Sequence, residues 1–460
     1  MLDPNLAAAL AACVAPGAAL CGAEELVRFA DPAGNLPALV LLPATAAEAA
    51  AALRLANQER VPLVPMGAGT SAPQRAGVAG AVVLASERLN RIVEVDTANL
   101  TAIVEPGVRL VDLQRATAQL GLFFPPDPPN FDSATLGGAT AVDARGPRAP
   151  KYGALRDYAL GLEVVLADGT ALHTGAKTVK SASGYNLTHL LVGSRGTLCF
   201  YTQVTLRLLP QPAARKTLAF AFADLEGAAH AAASLFTAKV LPARLQIVDR
   251  WATAELGAGL QRDVLGNADA LLICELDGSA PGVDRQTEMV IDLVGTGGTQ
   301  GKASLEPAEG EALWAQLRHL KADLVRGGPV AGESSAPRDR QPEILRSIAS
   351  LRARHRVAVG IVADPGTGSL HLTLSGGARN QSEVARLIAF RQAVKATCRG
   401  LDGGSSGGPD PVAQELVDGL QAAFDPNGVF SSGARCSGGR QAEQLSECES
   451  PPERGTVGDR

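Results

Sequence analysis

The chain has 460 residues, 46% apolar and 19% charged, a balance that suits a folded protein with more than one core and excludes a disordered one. A net charge of −5 with no basic block excludes an electrostatic nucleic-acid binder, which needs clustered Lys and Arg against phosphates. The seven cysteines are odd in number and never spaced C-x-x-C, so no disulfide framework, structural zinc or iron–sulfur cluster is expected of this chain, and a reducing cytoplasm fits.

The first twenty residues, "MLDPNLAAALAACVAPGAAL", are apolar but lack a basic start and are broken by Pro and Gly. They read as neither a signal peptide nor a membrane span. Residues 44–60 are rich in helix formers, with a capping box predicted at Thr45 and Glu48. "VPLVP" reads as a strand, and "AVVLAS", "RIVEVD" and "LTAIVEPG" as three more. The helix "RLVDLQRATAQLG" should stop at Gly121. Residues 123–153 have no sustained period, and a loop of that length is usually functional or disordered; its Gly- and Ala-rich second half reads as packed backbone. A hairpin turning at Asp168-Gly169, a short helix "YNLTHLLVGS" and the strand "LCFYTQVTLRLLP" complete a first α+β unit. Beyond "PQPAARK", the strands "KTLAFAFADL", "ADALLICELDG", "VAVGIVADP" and "GSLHLTLSGG" alternate with amphipathic helices, which suggests a second, ferredoxin-like domain. A last helix falls within 413–430, and the polar remainder reads as a tail.

The stretch "VPMGAGTS" presents backbone almost bare of side chains after a strand. It is either a tight turn or a cradle of N–H groups for an anion. It is neither a P-loop nor a Rossmann fingerprint, since no Gly-Lys-Ser/Thr and no helix follows at once. Two further glycine clusters, "TLGG" (135–138) and "GSRGTL" (193–198), would let backbone approach an extended ligand at several points, as a dinucleotide needs.

Together with "FFPPDP", "GPRAPKYGALRDYALGLEVVLADG", "KTVKSASGYNLTHLLVGSRGTL" and "FDPNGVF", these motifs resemble the FAD-linked oxidases of the glycolate oxidase large subunit and D-lactate dehydrogenase type. Those are vanillyl-alcohol-oxidase-like flavoproteins. The resemblance implies an α+β chain: a PCMH-type FAD-binding domain of two subdomains (1–212), then a ferredoxin-like α/β substrate (cap) domain with the C-terminal helix (213–432), with 433–460 a disordered tail. It places Pro65, Met66, Gly67, Ala68, Gly69, Thr70 and Ser71 at the FAD pyrophosphate. Pro126 and Asp127, with Thr135, Gly137 and Gly138, would line pyrophosphate and flavin. Arg195, Gly196, Thr197, Leu198, Cys199, Phe200 and Tyr201 would run along adenine and ribose. Asp143 and Arg195 stand where relatives commonly have Asn and Glu, and would put charge near the flavin. Relatives that attach flavin covalently carry a His where this chain has Thr70, so FAD is expected to be non-covalent.

The activity implied is oxidation of a small 2-hydroxy acid, glycolate- or D-lactate-like, by hydride transfer to flavin N5. Relatives add a divalent metal held by a His-x-Gly-Asp-Gly-Asn-x-His turn and a later Glu-His-Gly. Here the turn reads "DPGTGSLH", with Asp364 and Thr367 in place of His and Asp, and the later region "LDGGSSGGPDP" lacks Glu-His, so no metal is expected. His371 reads as a substrate base or as a satisfied strand histidine. Arg318, near Trp314, reads as the substrate-carboxylate contact or as a solvated helix residue. Tyr152 reads as packing near the flavin. The alternative function is a flavin-binding accessory subunit of a glycolate oxidase-type complex with a degenerate substrate site. A separate iron–sulfur or flavin subunit is a possible partner, and the chain is expected in the cytoplasm or peripheral to the inner membrane, with no transmembrane segment.

Overall fold

A computed structural model describes residues 2–31, 34–70, 78–178, 184–253, 268–295, 297–325, 333–373, 380–404 and 411–430. The first sheet joins β1 (Ala19–Leu20), β2 (Leu39–Leu41), β3 (Leu63–Met66) and β4 (Val82–Ala85) in the order β1-β2-β4-β3. Strands β2, β4 and β3 run parallel, which requires a crossover, and the helix Ala46–Gln58 follows β2 to provide it. That helix starts as expected at Thr45, whose Oγ1 accepts the Glu48 N–H at 3.2 Å. The returning arm lands one residue early: Glu48 Oε2 accepts from the Ala44 N–H at 2.7 Å. Its buried stripe, Ala49, Ala52, Leu53 and Ala56, has the spacing of one helix face.

The second sheet is antiparallel. It uses β5 (Ile92–Asp96), β6 (Thr101–Val104), β8 (Ala159–Val165), β9 (Ala171–Gly175) and β10 (Phe200–Arg207) in the order β5-β6-β10-β8-β9. The predicted hairpin joins β8 to β9, with Gly169 at φ 82°. Before it, β7 (Leu122–Phe123) pairs with β11 (Leu209–Pro210) as a short ribbon. The aperiodic stretch 123–153 is packed backbone, containing the short helices Leu136–Ala141 and Ala149–Tyr152.

The third sheet has seven strands: β12 (Ala214–Phe222), β13 (Arg244–Asp249), β14 (Ala270–Gly278), β15 (Gly301–Leu305), β16 (Glu333–Ser335), β17 (Gly360–Asp364) and β18 (Ser369–Thr373). Their order is β15-β12-β14-β13-β17-β18-β16, and every neighbour pair is antiparallel. One face carries Phe220, Phe222, Leu272 and Ile361 into a core shared with Leu345 and Phe390 of the helices Gln341–His355 and Gln381–Gly400. Against the other face, the helix Pro307–Val325 packs Trp314 onto Ala219, Ile273 and Val362. The rest of that second face is polar and turns toward the first domain. Among the described residues no helix is long and apolar enough to cross a membrane.

The end of the chain departs from its expected grouping with the second domain. After the helix Pro411–Phe424, Asp425 accepts from the N–H groups of Val429 (2.8 Å) and Phe430 (2.7 Å), bending "FDPNGVF" back on itself. Val429 and Phe430, each 1% exposed, enter the core of the first sheet, and the Leu63 N–H donates to the Val429 carbonyl at 2.8 Å. Truncating a buried Phe costs about 3–5 kcal/mol, so Phe430→Ala should lower the unfolding free energy measured in urea by that amount. A loss below about 1 kcal/mol would mean that this segment does not close the first core.

Candidate functional site

Strand β3 ends at Met66 and opens into Gly67–Thr70, which faces the N-terminal turn of Leu136–Ala141. The two segments touch through Thr135: its Oγ1 accepts from the Ala68 N–H at 3.3 Å and caps Gly138 N–H at 3.4 Å. A Cβ at Gly67 would lie 2.3 Å from that oxygen, and one at Gly137 would lie 2.5 Å from Pro106 Cβ, so neither position admits a side chain without displacement. Opposite, Arg195 and Gly196 turn in the left-handed region (φ 56° and 74°), bringing Gly196 against Pro65. The result is a groove floored by backbone and walled by Pro65–Thr70, Thr135, Gly137, Gly138, Arg195, Gly196 and Cys199–Tyr201. Asn130, which the sequence reading missed, also lines it and donates from Nδ2 to Thr70 Oγ1 at 2.6 Å. Among the described residues Arg195 is the one charged group on this lining. Burial pushes the Cys199 thiol up, which leaves it a neutral wall.

Next to the groove, a cavity of about 260 Å³ opens between the domains. Adjacent residues divide the two spaces: Asn130 lines the groove and Phe131 the cavity. The cavity is lined by Arg148 from the first domain, by Arg215, Arg244 and Arg318 from the second, and by the carboxylates of Asp127, Glu275 and Glu311. Four guanidiniums thus face three carboxylates. Arg244, 1% exposed, is bound by Asp127 at 3.0 Å and by Glu275 and Glu311 at 3.1 Å each. Burial alone would favour losing its proton, but Glu275, Asp127 and Glu311 outweigh that and hold the charge. Its guanidinium also lies over the Trp314 ring, 5.2 Å from the centroid. A second cross-domain contact runs from Ala149–Tyr152: Lys151 bonds the Asp277 carboxylate, and Tyr152 Oη donates to Asp277 Oδ2 at 2.7 Å. Burial, then that hydrogen bond, pushes the Tyr152 phenol up, so it stays a donor. A third contact is steric, since a Cβ at Gly366, in the turn between β17 and β18, would overlap Pro150.

Not every expected residue lies where the motifs suggested. Asp127 is not on the groove; it accepts the Arg148 N–H at 3.2 Å and faces Arg244 in the cavity, because a buried carboxylate needs a cationic partner. Pro126, Thr197 and Leu198 are buried beside the groove without lining it. Asp143 turns away: its carboxylate accepts the Arg156 N–H at 2.9 Å and pairs with Arg156 and Arg145. Ser71 lies outside the described residues. Arg318 is no solvated helix residue, being 9% exposed, bonded to Glu311 at 3.2 Å and set over the Phe131 ring. His371 does not line the cavity. It sits on β18, its Nε2 3.6 Å from Asp364 Oδ2, while Asp364 Oδ1 accepts from Gln246 Nε2 at 2.8 Å. Tyr152 packs edge-on to Phe123, with centroids 5.5 Å apart. Arg244 and Glu275 were missed. Their signal was opposite charge within two strand-like runs, "RLQIVD" and "LLICELDG", where Arg244 and Glu275 pair in register.

A backbone-floored groove with a single lining charge thus opens beside a charged interdomain cavity. Residues 37–175 match the model of an FAD binding domain, and residues 211–408 that of the FAD linked oxidases, C-terminal domain. The chain is 32% identical over 420 residues to glycolate oxidase subunit GlcD of Bacillus subtilis (strain 168), covering 87% of this chain and 89% of that one. It is 28% identical over 433 residues to a D-lactate dehydrogenase of Anaerostipes hadrus, covering 86% and 89%. In fold it resembles substrate-bound p-cresol methylhydroxylase, with a TM-score of 0.71 at 17% identity over 93% of this chain and 95% of the other. The chain belongs to the FAD-linked oxidases of the GlcD and D-lactate dehydrogenase type, and its cofactor is FAD.

Glu311, half exposed at the cavity mouth, offers a pH test. Burial works to raise its pKa, but Arg244, then Arg148, outweigh burial and hold it at about 2. A depressed carboxylate contributes stability above its unfolded pKa of roughly 4.3 and loses it as the pH falls. The loss should run from about pH 4.5 down to about 2. Urea midpoints of Glu311→Gln should therefore fall less steeply than wild type across that window. Equal slopes would remove Glu311 as a source of acid sensitivity.

Proposed function

We propose that the chain oxidises a small 2-hydroxy acid, glycolate- or D-lactate-like, at the junction of groove and cavity. The observation that carries this is the cavity lining: a surplus guanidinium charge, buried between domains and adjoining the FAD groove at Asn130–Phe131. When bound, FAD supplies the acceptor for the substrate's α-hydride.

Gly67–Thr70 and the Thr135–Gly138 turn hold the cofactor by close backbone approach, and Arg195 offers the one lining charge toward its phosphates. Thr70, where covalent relatives carry His, supports a non-covalent cofactor. The substrate carboxylate docks on Arg318, whose Nε has no hydrogen-bond partner. His371 is the candidate base. It lies off the cavity lining on β18, with Nε2 toward Asp364, which Gln246 orients, so as base it would take the hydroxyl proton at Nδ1 across a bridging water. Phe131 gives the cavity an apolar wall beside the groove.

One observation favours the second reading, a flavin-binding accessory subunit with a degenerate site. Asp364, at the first position of the relatives' metal turn, is engaged by Gln246 and His371. For either reading a separate redox subunit is a fitting partner, as the name of the GlcD relatives, a subunit of glycolate oxidase, suggests.

The deciding experiment is the visible spectrum of purified protein before and after anaerobic addition of glycolate or D-lactate. Bleaching near about 450 nm, where oxidised flavin absorbs, is expected with one of them. Bands that persist with every hydroxy acid yet bleach with dithionite would select the accessory reading. His371→Gln should slow bleaching about 10²–10⁴-fold, the range for a lost general base, without changing FAD content. Gly67→Val should weaken FAD at least tenfold in a fluorescence titration of apoprotein, since its Cβ alone overlaps Thr135.

A further inference from the structure

Arg148 is a buried charge that the described residues satisfy poorly. It is 7% exposed and lines the interdomain cavity. Its backbone N–H bonds Asp127, but no described residue hydrogen-bonds its guanidinium, and Nε is buried without a partner. The nearest carboxylates, Asp127 and Glu275, stand off at 3.7 and 3.9 Å. Both are already taken by Arg244, at 3.0 and 3.1 Å. A buried cation left in this state is costly, so something other than these carboxylates must complete it. Arg318 enters the same cavity from the other domain, 9% exposed, with an unbonded Nε and a single bond, to half-exposed Glu311. Arg244 is saturated by three carboxylates, and Arg215 is only half-buried, stacked over Phe123 at 5.8 Å.

We propose that Arg148 and Arg318 form a clamp for one small carboxylate, with one jaw on each domain, so that the anion completes both guanidiniums and ties the domains together. This rests on the reading above in taking the cavity as the substrate site, and it adds Arg148 as a binding residue. The cavity's surplus of one positive charge matches a single carboxylate, and a guanidinium holds a carboxylate by two parallel N–H bonds. Removing Arg148 should cost the unliganded fold little, because no hydrogen bond to its guanidinium is lost.

The test is calorimetric titration of the FAD-loaded protein with oxalate, a planar carboxylate with no α-hydrogen to lose, in wild type, Arg148→Met, Arg318→Met and Arg148→Lys. Wild type should bind, and each Met variant should raise Kd at least tenfold. The Lys variant, with charge but no fork, should fall between. Oxalate should also raise the wild-type thermal midpoint, and this rise should vanish in both Met variants. If Arg148→Met misfolds, the Lys variant still decides, since a Kd within twofold of wild type overturns the clamp. The same result for Arg148→Met, or no oxalate binding by wild type, overturns it too. Oxalate binding that needs both arginines, with no hydroxy acid bleaching the flavin, would uphold the clamp and sink the oxidation proposed above.

Discussion

The buried charge of Arg244 is the constraint on which the arrangement of domains depends. It sits on β13 of the cap, 1% exposed, and carboxylates of both domains bind it: Glu275 and Glu311 from the cap, Asp127 from the FAD domain. Truncating Arg244 would strand Asp127 and Glu275 inside the closed interface, at the several-kcal/mol cost of an uncompensated buried ion. Lys151 and Tyr152 on Asp277 and the tight seat of Gly366 on Pro150 extend the same seam.

The two spaces on either side of Asn130–Phe131 work by different physics. The groove is almost without charge and recognises by shape: its selectivity lies in side chains that are missing, as at Gly67 and Gly137. The cavity is crowded with charge and recognises by imbalance, its guanidiniums outnumbering its carboxylates by one. A cofactor that stays bound suits the first, and an anion that must come and go suits the second, since a deeper surplus would hold product as well as substrate.

Local chemistry made much of this legible in the sequence. The Thr45 cap, the Asp168-Gly169 hairpin and the Gly67–Gly69 loop are each encoded within a few residues, and each formed where expected. What stayed hidden depends on partners distant in the chain. The family resemblance placed Asp127 at pyrophosphate and flavin, while its partner lies 117 residues away on Arg244. Arg148 was quoted within a motif but given no role, because nothing in "GPRAPKYG" shows that its guanidinium would be buried beside carboxylates already engaged. Asp143 failed for the opposite reason: a left-handed backbone (φ 49°) turns its carboxylate to nearby Arg156, away from the groove.

The return of the chain's last described residues to its first sheet sets an order of events during synthesis. β3, which ends at the glycine loop, receives its edge contact from Val429, more than 350 residues later. On the ribosome the FAD domain would emerge and pair most of its strands well before the cap is made, yet the strand that launches the cofactor loop stays open along one edge until Val429 and Phe430 leave the exit tunnel. Tight cofactor capture is thereby deferred until after the cap with its arginines has been made.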